Sequence, residues 1–141
     1  MELRTEIELA APPERVWAAL VRFNQYPRWN PFLTEVIGRP EVGARLEVRY
    51  NFTDGSETRL RVKVLKSRKS EELRWGSHLW FRGLFDLEHF FLLSKRDSGG
   101  TRLVQGADAS GRMVNRMGHR LTHLVRGFVG MNQALQRYLA E

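Results

Sequence analysis

Apolar and charged residues alternate over Glu2–Leu9, with Leu3, Ile7 and Leu9 on one side and Glu2, Arg4, Glu6 and Glu8 on the other. A period of two describes a strand with one buried and one wetted face. In APPERVWAALVRF the period changes. Pro12 and Pro13 suit a first helical turn, Glu14 complements its positive end, and Val16, Ala19, Leu20 and Phe23 share a face. This short helix is expected to stop before Pro27. Strand patterns follow in TEVIG, ARLEVRYNF, TRLRVKVL, ELRWGS, LFDLEHFFLLSK and TRLVQGADASG. Leu46, Val48, Tyr50 and Phe52 point inward on one of them, and Leu60, Val62 and Val64 on the next. TDGSE and RDSGG supply turn chemistry between neighbours. Such strands make a curved antiparallel sheet, wetted on its outer side.

From Met113 to Ala140 the period becomes that of a helix. Met117, Leu121, Leu124, Val125, Phe128, Met131, Leu135, Tyr138 and Leu139 form one stripe, opposite Arg112, Arg116, His119, His123, Arg126 and Arg137. A helix this long buries its stripe only against the sheet. Strand, short helix, many strands and long helix, in that order, define an α+β architecture in one domain over 1–141. A bent sheet wrapped around one helix rarely closes completely, so a cavity is expected between them.

Several positions carry candidate chemistry. YPRWNPFL, Tyr26 to Leu33, reads as too broken for a helix and too apolar for a wetted loop. Trp29 and Phe32 either plug the core or line a cavity mouth, with Pro27 and Pro31 stiffening the backbone. His89 lies inward between Leu87 and Phe91, where an unpaired polar group costs about 1–3 kcal/mol. It therefore needs a partner: Gln105, a water or a ligand. Asn132 interrupts the apolar stripe, as an amide tying the helix to the loop or first helix, or as a hydrogen bond to a ligand. Gly118, Gly127 and Gly130 suggest a helix that bends, and hence a door to the cavity. His119 and His123 have the spacing of two metal ligands. They fall on an arginine-rich face with no acidic ligand near, so a solvated face is expected and no metal. HLWFRGLF, His78 to Phe85, reads as a lid or as a homodimer contact.

The net charge of +7 invites an anionic partner. Arginine far outnumbers lysine, and Arg59, Arg61 and Lys63 have acidic neighbours. No acidic residue occurs between Asp108 and Glu141, so the basic face of the last helix suits peripheral contact with an anionic membrane. No nucleic-acid module signature appears. The absence of cysteine excludes disulfides and thiolate metal sites. No apolar run approaches the roughly 20 residues of a spanning helix, and the first residues lack a signal peptide's apolar stretch. A cytoplasmic location is expected.

Four stretches together resemble one superfamily. They are IELAAPPERVWAALVRFNQYPRWNPF, RPEVGARLEV, EHFFLL with GGTRLVQGADASG, and FVGMNQALQRYLAE. In order and spacing they are similar to the helix-grip (START-like, SRPBCC) proteins, which include START lipid-transfer domains, plant pollen allergens and bacterial polyketide cyclase/dehydrase-type proteins. The resemblance runs from about Leu3 to Glu141. It implies a helix-grip fold: a curved antiparallel sheet around a long C-terminal helix, with two short helices after the first strand. Many bacterial relatives carry an acidic residue and a second histidine inward on the last strand, where this chain has Gln105 and Ala107.

The leading expectation is a protein that binds a hydrophobic small molecule or lipid between sheet and last helix, with no cofactor. Its wall would be Trp29, Phe32, Tyr50, Trp75, Phe85, His89, Phe91, Met117, Leu121, Leu124 and Phe128, with His89, Gln105 and Asn132 as polar contacts. The alternative implied by the resemblance is a cyclase or dehydratase in which His89 transfers a proton and Tyr50 or Gln105 polarises a carbonyl. A third reading is a non-enzymatic module docking through its basic helix.

Overall fold

The computed structural model describes residues 1–79 and 83–141. Trp80 to Arg82, in the segment read as a lid or dimer contact, lie outside the described residues. The chain runs β1 (Glu2–Leu9), α1 (Pro13–Val21), a 3-10 turn (Phe23–Gln25), α2 (Tyr26–Trp29), β2 (Leu33–Ile37), β3 (Arg45–Asn51), β4 (Glu57–Arg68), β5 (Glu72–Leu79), β6 (Phe85–Lys95), β7 (Thr101–Ser110), a second 3-10 turn (Val114–Arg116) and α3 (Gly118–Ala140). Seven antiparallel strands form one curled sheet in the order β1-β7-β6-β5-β4-β3-β2. Neighbours in sequence pair as hairpins from β2 to β7, and β1 closes the far edge against β7. The α+β class and the helix-grip arrangement are those expected. No helix among the described residues is long and apolar enough to cross a membrane.

Three local readings change. YPRW forms a helical turn, because Pro27 sits in its first turn, where a missing N–H costs nothing. Asn30 then ends that turn, its side-chain Oδ1 accepting hydrogen bonds from the N–H groups of Phe32 (3.0 Å) and Leu33 (2.9 Å). The long helix starts at Gly118 rather than Met113. Upstream, the N–H of Arg112 bonds to Gly83 O and that of Met113 to Leu84 O, which holds this stretch against the loop before β6. Finally, Phe90 is buried on the outer face of the sheet. It lies opposite Gly106, whose missing side chain makes room for the ring, and the Arg74 guanidinium covers it at 4.7 Å. Glu72, Glu88 and Asp108 hold that guanidinium at 3.0–3.1 Å.

The helix is seated by aromatic rings. Phe32 meets Tyr50 edge-on at 5.3 Å between centroids and Phe128 of α3 at 5.8 Å. Gly127 lies directly against the Phe32 ring, and any Cβ there would overlap it. This glycine is a close-approach residue, which corrects its reading as a point of bending. Gly130, three residues on, faces open space. The two glycines should therefore respond oppositely to alanine. Gly127→Ala is expected to destabilise by about 1–3 kcal/mol through overpacking, and Gly130→Ala to stabilise by up to about 1 kcal/mol through helix propensity. Urea denaturation of both variants measures the contrast, and equal effects would contradict the packing described.

Candidate ligand-binding hollow

Inward positions of the sheet divide into two zones along the helix. At the deeper end the strands carry Tyr50, Trp75, His89, Phe91 and Gln105, all fully buried. Register explains their meeting: Trp75 lies opposite His89, and Phe91 opposite Gln105. Phe128 of α3 covers His89, with ring centroids 4.9 Å apart. The His89 ring also packs on Trp75 at 5.1 Å and on Phe91 at 4.8 Å between centroids.

The polar atoms in this plug form one directed chain. Trp75 Nε1–H donates to Tyr50 Oη at 3.1 Å. Since indole can only donate, the tyrosine hydroxyl is free to donate onward to His89 Nδ1, 3.1 Å away. Nε2–H of His89 then donates to Gln105 Oε1 at 2.9 Å. The Gln105 amide donates to Asn132 Oδ1 (2.7 Å), Asn132 Nδ2 to Thr5 Oγ1 (2.9 Å), and the Thr5 hydroxyl to Gln105 O (2.7 Å). Gln105 Oε1 can only accept, which fixes a proton on Nε2, and with Nδ1 accepting from Tyr50 the ring is neutral. Burial lowers its pKa to about 4, the hydrogen bond with Gln105 opposing that shift. Burial likewise pushes the Tyr50 phenol up.

Toward the N-terminal half of α3 the layers part and enclose a hollow of about 490 Å3. Its sheet side is Thr58 and Leu60 of β4, Ser77 of β5, and Phe85 and Leu87 of β6. Leu121 and Leu124 of α3 close it together with Met117, the residue before the helix, and Phe52 with the following turn forms a side wall. The rim is polar: Asp54, Ser56, Glu57, His119, Arg120 and His123. His123 Nε2 lies 3.2 Å from His119 Nε2 and 3.8 Å from Asp54 Oδ2, linking helix and hairpin across the opening. Its side chain is only 15% exposed, so the fully solvated face expected for this pair is corrected. Among the described residues no group of three or more His, Asp or Glu is arranged to hold a metal.

Of the wall read from sequence, Phe85, Met117, Leu121 and Leu124 line this hollow. Tyr50, Trp75, His89, Phe91, Gln105, Phe128 and Asn132 pack together below it, with Phe32 against Phe128. Trp29 is half-buried at the other end of α3, stacked on Tyr138 at 5.4 Å. Asn132 ties α3 to β1 and β7, rather than to a loop or the first helix. Sequence reasoning passed over Thr5, a polar residue in an inward slot between Leu3 and Ile7, which was the available signal. It also passed over Ser77, Leu87 and Arg120 as lining.

A family model described as "Polyketide cyclase / dehydrase and lipid transport" matches residues 1–137. Among solved structures, protein Ms6760 from Mycobacterium smegmatis is similar with a TM-score of 0.77 and 16% identity, over 98% of this chain and 90% of that one. Protein MLL2253 from Mesorhizobium loti gives 0.69 and 22% identity, over 97% and 98%. Ara h 8.0201 gives 0.72 and 15%, over 100% and 99%. At such identities the likeness concerns the fold. No curated protein matches the sequence.

The buried histidine sets a pH dependence. His89 binds a proton near pH 4 when folded, against 6.5 for an unperturbed imidazole. Between those values the unfolded chain holds the extra proton, so stability is intact above about pH 6.5 and declines as pH falls toward 4. The full loss is roughly 3 kcal/mol at about 1.4 kcal/mol per pH unit. Urea midpoints measured from pH 7.5 to 4.5 should fall accordingly. In His89→Gln, less stable at pH 7.5, the decline should flatten; an unchanged slope would assign the dependence to other groups.

Proposed function

The chain belongs to the polyketide cyclase/dehydrase and lipid transport family, and on that premise we propose that it binds one hydrophobic small molecule or lipid in the hollow between α3 and the sheet. The observation that carries the reading is the hollow itself. Its volume of about 490 Å3 falls within the range of small-molecule sites, roughly 300–1,000 Å3. Phe52, Leu60, Phe85, Leu87, Met117, Leu121 and Leu124 give it an apolar lining. A guest burying about 300 Å2 of apolar area gains roughly 7 kcal/mol gross. Association costs of about 4 kcal/mol or more leave micromolar affinity or weaker unless polar contacts add to it.

The cyclase or dehydratase alternative, with His89 as the proton-transfer group, has no comparable support. The ring is 1% exposed, both nitrogens are engaged, and Phe128 stands over it. A general base must reach the proton it removes. Catalysis through His89 therefore forms no part of this proposal.

Titration with the neutral fluorophore N-phenyl-1-naphthylamine tests the reading. The wild type should enhance its emission with one-to-one saturation. Leu87→Trp, which fills the hollow, should weaken binding at least tenfold while the circular-dichroism spectrum is retained. Val42→Trp, at a position 67% exposed and outside the hollow, should leave binding unchanged. Undiminished binding by Leu87→Trp would overturn the assignment.

A further inference from the structure

We infer that the guest is an amphiphile with an anionic head, held at the mouth by Arg120 with its tail directed inward; this rests on the binding reading above. The hollow is graded. Inside, its only polar side chains among the described residues are the hydroxyls of Thr58 and Ser77, so a charged group has no counter-charge there. Charge must sit at the rim, where the acidic and basic groups differ in whether they already have partners.

Each acidic group of the mouth is already engaged. Glu57 is bracketed by Arg49 at 3.3 Å and Arg59 at 3.6 Å. Asp54 accepts hydrogen bonds from the Ser56 N–H (2.8 Å) and hydroxyl (2.6 Å), and faces His123. Arg120 differs. It lines the hollow, and among the described residues it has neither an ion-pair nor a hydrogen-bond partner. Its helix offers none either, because nothing acidic occurs between Asp108 and Glu141. Arg112, Arg116 and Arg126 are exposed on the same helix and its approach, which adds basic groups to this side of the mouth.

A carboxylate or sulfate head arriving with its tail among Phe85, Leu87, Leu121 and Leu124 would give Arg120 a charge-assisted partner. A neutral head forgoes that contact, and a cationic head meets repulsion. Because the guanidinium is solvent-exposed, the preference should be moderate, about fivefold, and should shrink in high salt.

Displacement of N-phenyl-1-naphthylamine by three probes sharing a decyl chain tests this. Decanoate should displace it at about fivefold lower concentration than decanol, with decyltrimethylammonium the weakest. Arg120→Ala should bring decanoate down to decanol's level and leave decanol unaltered, while Arg120→Lys retains most of the preference. Arg116→Ala, outside the lining, should change nothing. The inference is overturned if Arg120→Ala keeps the decanoate preference. It is also overturned if Arg116→Ala lowers it equally, since a diffuse basic surface, of the kind that adsorbs to anionic vesicles, would then be responsible. Failure of all three probes on wild type would overturn the binding reading itself, and this inference with it.

Discussion

The contact between Gly127 and the Phe32 ring decides where the long helix can lie. A helix of 23 residues extends about 35 Å, whereas the sheet beneath it is curled, so close packing along its whole length is geometrically excluded. Close approach begins at Gly127 and Phe128, near the middle of α3, and continues through its C-terminal half. There Asn132 bonds to β1 and β7, Gln136 donates to Glu8 O at 3.2 Å, Arg15 reaches Leu139 O at 3.1 Å, and Tyr138 stacks on Trp29. Ahead of Gly127, α3 borders the hollow through Leu121 and Leu124 and reaches the hairpin at Asp54 through His123 at 3.8 Å. The hollow is thus the remainder left when α3 is fixed from Gly127 onward, and it lies along the turns that precede that contact.

Polar residues in the plug serve the same purpose as the rings. A buried chain in which every donor meets an acceptor costs little when complete and several kcal/mol when broken, so it discriminates sharply against a shifted helix. Sliding α3 by one residue would remove Asn132 from both Gln105 and Thr5, leaving the Gln105 amide N–H and the Asn132 side chain without these partners in the core. The chain crosses β3, β5, β6, β7, α3 and β1, tying most of the fold to one register. Its neutral histidine is the price of that arrangement.

Much of this architecture was legible as period. Alternation marked each strand and the inward sides of Tyr50 and His89, the resemblance placed Gln105 inward on the last strand, and the 3.6 repeat marked α3 with Asn132 inside its apolar stripe. The resemblance to helix-grip proteins joined them into one fold. Depth was not legible. Alternation assigns a residue to a face, but His89 and Leu87 share a face while only Leu87 borders the hollow. Whether an inward side chain fills space or surrounds it depends on how far the opposing layer stands, and that distance is set by non-local contacts such as Phe32 on Gly127. The outer-face burial of Phe90 escaped for a similar reason: it requires both Gly106 across the register and Arg74 from another strand.

The same division changes how a guest would come and go. Entry by lifting α3 from Gly127 onward would break the polar chain and the Phe32–Gly127 contact together, both of which lie outside the hollow. Exchange at the mouth breaks much less. Among the described residues, the polar bridge across it is His123 to Asp54 at 3.8 Å, a long contact between partly exposed groups. Gly118, which faces open space, starts the helix beside that opening. With the deep end closed by Phe128 and the shallow end bridged so weakly, a guest would enter tail first. Its polar group would then remain where water and Arg120 can both reach it.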